Sequence, residues 1–129
     1  MADNGTLNEP RFRDKQLGFD VRHPDFNAQN SYLEFRDAVE ETFFELQDLL
    51  LSKHKDYGPS NIAEAPGGAI NGLRVRMHDK LARINNLYEY MEDTNGFQPQ
   101  HESIEDSFKD MANYAIIGLL VLRGKWPNK

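Results

Sequence analysis

The sequence predicts an all-α protein, a bundle of three long helices preceded by an irregular arm. Three observations predict it. Apolar residues recur at spacings of three and four through three long segments. No segment shows sustained period-two alternation. Clusters of Gly, Pro, Asn and Asp separate the helical segments.

Residues 1 to 30 read as the arm. Leu7, Phe12, Leu17, Phe19, Val21 and Phe26 show no helical period, and Gly5, Pro10, Gly18 and Pro24 interrupt the rest. Residues 31 to 129 read as one helical domain. The first helix is expected near Ser31, where Ser31 and Glu34 match a capping box. Tyr32, Phe35, Val39, Phe43, Leu46 and Leu50 then form an apolar stripe, with Asp37, Glu40, Glu41, Glu45 and Asp48 off it. Lys53-His54-Lys55 suits the negative end of the helix dipole.

Two breakers, Asp56 to Asn61 and Pro66-Gly67-Gly68, bound a connection of about a dozen residues, longer than bundles usually need. Such a loop is either a plain crossover or functional. The second helix is expected from Ala69 to Glu92, with Ile70, Leu73, Met77, Leu81, Ile84, Leu87 or Tyr88, and Met91 as its stripe. The third runs from near Glu102 to Arg123, with Gly124 beyond it. Its expected core stripe is Ile104, Phe108, Met111, Ala115, Leu119 and Leu122.

Composition bounds the function. The chain has 129 residues, enough for one domain with its own core. Its mean hydropathy is −0.72, and its longest apolar run, Ala115 to Leu122, is far below the ~20 residues a membrane span needs. The N-terminus lacks the apolar stretch of a secretory signal, so a cytoplasmic location is expected. Without cysteine there are no disulfides and no thiolate-held zinc or iron–sulfur site. A net charge of −6 disfavours sequence-independent binding to duplex nucleic acid.

Two columns of charge carry the chemistry. On the third helix Glu102, Asp106, Asp110 and Asn113 fall within an arc under a quarter-turn wide. Like charges stacked at i,i+4 repel, so the column needs a cation, a metal ion or neighbouring bases. The same arc continues into Ile117 and Leu120, in a segment apolar on all sides, which places the acids toward an interior. The plainer alternative is a solvated acidic face at a helix N-terminus. On the second helix Arg76, Lys80 and Arg83 share a face. With Lys53 and Arg74 they are fit to pair with the acids, to bind phosphate oxygens, or to do both. His54 and His78 stand isolated, and no P-loop, dinucleotide fingerprint or nucleophile elbow is present.

Taken together, certain blocks resemble a known family. These are Lys53-His54-Lys55-Asp56-Tyr57-Gly58, then Asn61-Ile62, then Gly72 to Arg76 with Asp79-Lys80 and Arg83, then Glu102 to Asp106 with Asp110 and Asn113-Tyr114. They resemble the phage and bacterial nucleotide modification associated domain, over about residues 45 to 126. More distantly the layout is similar to the all-α MazG and dimeric dUTPase-like pyrophosphatases, in which acids on facing helices hold Mg²⁺ against a triphosphate and subunits pair. This sequence reads Glu102-x-x-x-Asp106-x-x-x-Asp110 where those enzymes have a compact Glu-x-x-Asp, and it offers Glu41 and Glu45 where they have Glu-x-x-Glu. The departure bears on hydrolysis more than on nucleotide binding.

The resemblance implies a Mg²⁺-dependent pyrophosphohydrolase-like domain acting on a nucleoside triphosphate or related nucleotide. Glu102, Asp106 and Asp110 would hold metal, with Glu41, Glu45 and Glu102 as catalytic carboxylates. Lys53, Arg76, Lys80 and Arg83 would meet phosphates, and Tyr57 and Asn113 the base or sugar. The rivals are a module that binds a nucleotide without cleaving it and a helical interaction protein. The width of the apolar surface on the first and third helices predicts a homodimer or a dimer of dimers.

Overall fold

The structure, a computed structural model, describes residues 26–94 and 102–128. Among these residues every element is helical. They form α1 (Phe26–Tyr57), α2 (Ser60–Ala63), α3 (Ala69–Thr94) and α4 (Ile104–Leu122). The all-α class read from the periodicity is therefore the class observed. The arm expected over residues 1 to 30 lies outside the described residues up to residue 25.

Helix α1 starts earlier than expected. Ser31 lies inside it and is exposed, so it does not cap the N-terminus. Asp25 to Asn30 contains neither Pro nor Gly, so nothing after Pro24 forces the helix to wait for Ser31. The helix ends where Gly58 takes a φ of 68° and donates its N–H to the His54 carbonyl at 2.8 Å. The loop expected after it contains one short helix, α2.

The chain divides into two compact units, Met1–Phe44 and Glu45–Lys129. In residues 30–44 of the first unit the one buried side chain is Arg36, which pairs with Asp37 at 3.1 Å. Phe35, Phe43 and Phe44, on or beside the expected stripe, are exposed.

In the second unit α3 packs along α4, and α2 packs against α3. Ile62, Leu73 and Ile117 form the buried cluster, flanked by Leu50, Ala69, Tyr114, Val121 and Trp126. α3 meets the preceding loop closely at Gly72, where a Cβ would lie 2.6 Å from that of Ala65.

Helix α4 is capped at both ends. The Ser103 hydroxyl accepts from the Asp106 amide at 3.1 Å, and the Asp106 carboxylate accepts from the Ser103 amide at 3.2 Å. At the other end Lys125 N–H donates to Leu120 and Gly124 N–H to Val121, with Gly124 at φ 67°. Ser103→Ala is expected to lower stability by about 1 kcal/mol, read as a smaller urea midpoint with an unchanged slope.

The face that α4 buries is the arc that the sequence placed toward an interior, and not the expected core stripe. Ser107, Asp110, Asn113 and Ile117 are buried, whereas Phe108, Leu119 and Leu122 of the expected core stripe are 58%, 48% and 73% exposed. Burial on all sides from Ala115 to Leu122 is accordingly not found. A polar face can be turned inward only when its groups find partners there. Here they do, as the site shows.

Candidate functional site

Four chain segments of the second unit converge on the polar face of α4. Asp110 is held from two sides: Lys53 of α1 lies 2.9 Å from one carboxylate oxygen and Lys80 of α3 lies 3.0 Å from the other. Burial pushes the Asp110 carboxyl up, but the hydrogen bonds from Lys53 and Lys80 outweigh it and hold it below the ordinary aspartate range. The hydrogen bond to Asp110 raises Lys53. Burial opposes the charge on Lys80, yet Glu102 and Asp110 together raise it as well.

Lys80 also bonds both Glu102 carboxylate oxygens, at 2.9 and 3.0 Å. Arg83 donates to the Ser107 hydroxyl at 2.8 Å, to the Ser103 carbonyl at 3.2 Å and to the Glu102 carbonyl. Ser107, with no exposed surface at all, is thus satisfied by a guanidinium from the next helix. The basic and acidic columns meet as ion pairs, one of the readings that the sequence left open.

The carboxylates expected to share a cation have separate roles. Ser103, not Glu102, caps α4, so Glu102 precedes the helix and leaves the helical register of the column. Asp106 is exposed and committed to the cap, and its hydrogen bonds with Ser103 lower its pKa. Glu45 lies 2.5 Å from Lys109, which also meets Glu105 at 2.9 Å; these bonds raise the Lys109 pKa strongly. Glu41 lies in the first unit and is exposed. Among the described residues no group of three His, Asp or Glu side chains is placed to hold a metal ion. Mg²⁺ needs oxygen ligands in near-octahedral geometry, and the Asp110 and Glu102 oxygens face ammonium groups instead. The residues as placed do not fit a shared Mg²⁺.

Beside Asp110 lies a cavity of about 340 Å³. Lys53, Tyr57, Arg76, Asp110 and Asn113, all expected site residues, line it, together with His54, Asn61, Tyr114 and Trp126. Lys80 and Arg83 do not. Its floor is apolar, since Leu50, Ile62 and Ile117 belong to both the cavity wall and the core. The His54 and Trp126 rings meet edge to face, their centroids 5.0 Å apart. The Trp126 indole N–H donates to the Pro59 carbonyl at 3.1 Å, so Trp126 is both a packing anchor and a cavity wall. Arg76 reaches the Asn61 carbonyl at 3.4 Å.

Three buried polar atoms of this lining have no hydrogen-bond partner in the structure: His54 Nδ1, Asn61 Oδ1 and Asn113 Oδ1. Asn113 is 7% exposed and spends its Nδ2 on the Leu46 carbonyl at 3.1 Å, which fixes its oxygen as the unpaired end. A buried acceptor left without a partner costs about 1–3 kcal/mol. Each such group calls for a partner that the chain itself does not supply, ordered water or a ligand.

The family model described as nucleotide modification associated domain 1 matches residues 53–122. The chain belongs to this family. The family segment of this nucleotide modification associated domain begins at Lys53 and ends with α4. It takes in both columns, the capping box and most of the cavity lining, but not Leu50 or Trp126. No curated protein and no solved structure matches the chain significantly.

Reading the sequence by charge and spacing missed His54 as a site residue and left Asn61 without a role. Neither stands at ligand spacing from a similar residue. Their one signal was position, His54 beside Lys53 and Asn61 in the long loop.

Proposed function

We propose that this domain binds a nucleotide in the cavity between α1, α2 and α4, the base within and the phosphates toward Lys53 and Arg76. The observation that carries the reading is the set of three unpaired buried polar atoms on one cavity, beside two cations, inside the family segment. The volume lies in the range of small-ligand pockets, about 300–1,000 Å³. Arginine meets phosphate oxygens bidentately and lysine as a point charge.

Binding without cleavage is the better supported form. Metal-assisted hydrolysis needs oxygens open to the ion, and both inner carboxylates are taken up by Lys53 and Lys80. Calorimetry with nucleoside triphosphates tests the reading. Arg76→Ala is expected to weaken a triphosphate about tenfold and the matching nucleoside much less, because a charged hydrogen bond to phosphate is what is lost. Equal weakening of both removes the phosphate assignment. Incubation with Mg²⁺ followed by chromatography is expected to return the nucleotide intact; release of monophosphate and pyrophosphate would restore the pyrophosphohydrolase reading.

We further propose that a second copy of the chain covers the outward apolar face of α4, which runs through Phe108, Met111, Ala115, Leu119 and Leu122. Met111 joins it to a groove against α3 lined by Val75, Met77 and Leu81. A contiguous apolar patch of a few hundred Å² is often an interaction surface. Among the described residues no helix is long and apolar enough to cross a membrane, and lipid is not the occupant that the chain's hydropathy favours.

A further inference from the structure

We infer that the cavity selects nucleotides whose base carries an exocyclic amino group, reading its N–H donors with the unpaired carboxamide oxygens of Asn61 and Asn113. The inference rests on the nucleotide-binding reading and adds the class of base to it.

The chemistry follows from which atoms lack partners. Asn61 Oδ1 and Asn113 Oδ1 are both acceptors, and both are buried. The Asn113 carboxamide cannot usefully rotate to present its donor end, because that end is held by the Leu46 carbonyl. The backbone carbonyl of Asn61 receives Arg76, which ties this residue to the cavity wall. With the carboxamides as placed, a ligand that completes the site brings hydrogens to two oxygens. Adenine, cytosine and guanine bring them on an amino group, and guanine adds an adjacent ring N–H. Uracil and hypoxanthine present a keto oxygen where their amino counterparts carry the nitrogen. That oxygen would face an asparagine oxygen with no proton between them, and the single ring N–H of either keto base, at N3 of uracil or N1 of hypoxanthine, serves only one of the two oxygens, so one buried acceptor stays unpaired.

The third unpaired atom, His54 Nδ1, suits either partner, since an imidazole nitrogen accepts or donates according to its tautomer. It sets no preference between amino and keto bases, but it can meet a ring nitrogen of the base that the asparagines hold. The His54 and Trp126 rings, with Tyr114, supply the aromatic and apolar wall that a flat ring needs. Discrimination through a hydrogen bond exceeds what an apolar pocket achieves, because the wrong base leaves the protein's own polar group stranded.

Isothermal titration of the whole chain with two matched pairs decides the matter: cytidine against uridine triphosphate, and adenosine against inosine triphosphate. The amino member of each pair is expected to bind at least about tenfold more tightly. In Asn61→Ala the two members are expected to come within about twofold of each other. Asn113→Ala, checked for folding by circular dichroism, provides the second variant, and if it fails to fold Asn61→Ala alone decides. Equal affinity within both pairs in the native chain, or preference for the keto member, overturns the base selection while leaving nucleotide binding standing. Full discrimination persisting in Asn61→Ala overturns the assignment of Asn61 as a reader. Failure of all four nucleotides to bind overturns both readings together.

Discussion

Replacing Asp110 by alanine is expected to lower the stability of the second unit by about 2–3 kcal/mol at pH 7, toward the lower end for breaking a buried ion pair. The carboxylate is largely buried and meets two ammonium groups, so its removal takes a partner from each, although Lys80 keeps Glu102. Lys53, however, is about half exposed (47%) and can turn to water, which limits the loss. The pH dependence identifies the cause. Asp110 has a folded pKa below its unfolded value, so its contribution is complete above the unfolded pKa of about 3.9 and is lost as pH falls through the folded value. Lys53 and Lys80 are raised, so their share is complete below about 10.4 and is lost as pH rises through their folded values. Urea midpoints measured from pH 7 down to pH 2.5 are expected to fall less steeply in Asp110→Asn than in the native chain below about pH 4. Parallel acid limbs would show that other carboxylates carry the acid sensitivity.

How far α4 could be read from the sequence shows where such reading stops. Its existence, its end at Gly124 and its stacked acids were all visible, because helical period and cap residues are local signals. That the acid arc turns inward was visible too, through Ile117 beyond it; which residues would partner it was left open. An apolar stripe identifies itself by spacing, but a polar face becomes an inner face only through partners far along the chain. Lys53 is separated from Asp110 by 57 positions and the Leu46 carbonyl from Asn113 by 67. Nothing in either residue's neighbourhood announces that pairing. With Ser103 as the cap, Glu102 drops out of the helical register that made the column look continuous, and Asp106 turns to the cap.

The candidate site divides along the same line. Lys53, Arg76, Asp110 and Asn113 could be chosen because charge and helical arc are countable. His54 and Asn61 matter because an atom of each is buried without a partner, a property that exists only after folding. The family resemblance reached Asn61 and Tyr114 through the blocks that contain them. It could not say what either atom faces.

Charging the outward face of α4 is expected to split the native assembly. Phe108 and Leu119, with Leu122 on the same face, expose on the order of 350 Å² of apolar side-chain surface, and the α3 groove raises it to on the order of 500 Å². A standard stable interface takes about 800 Å² from each partner, so this face supplies more than half of one. In a two-fold pair the same patch is used by both chains, and each substitution acts twice. Light scattering at micromolar concentration is expected to give a mass near twice 14.9 kDa for the native chain, or a further doubling if pairs associate. Phe108→Glu with Leu119→Glu is expected to give the mass of one chain. Because both positions are solvent-exposed in the single chain, the variant's helical circular dichroism should match that of the native protein; lost helicity would mean that the face is held against the chain itself. A native mass of one chain would remove the second copy as the occupant of this face.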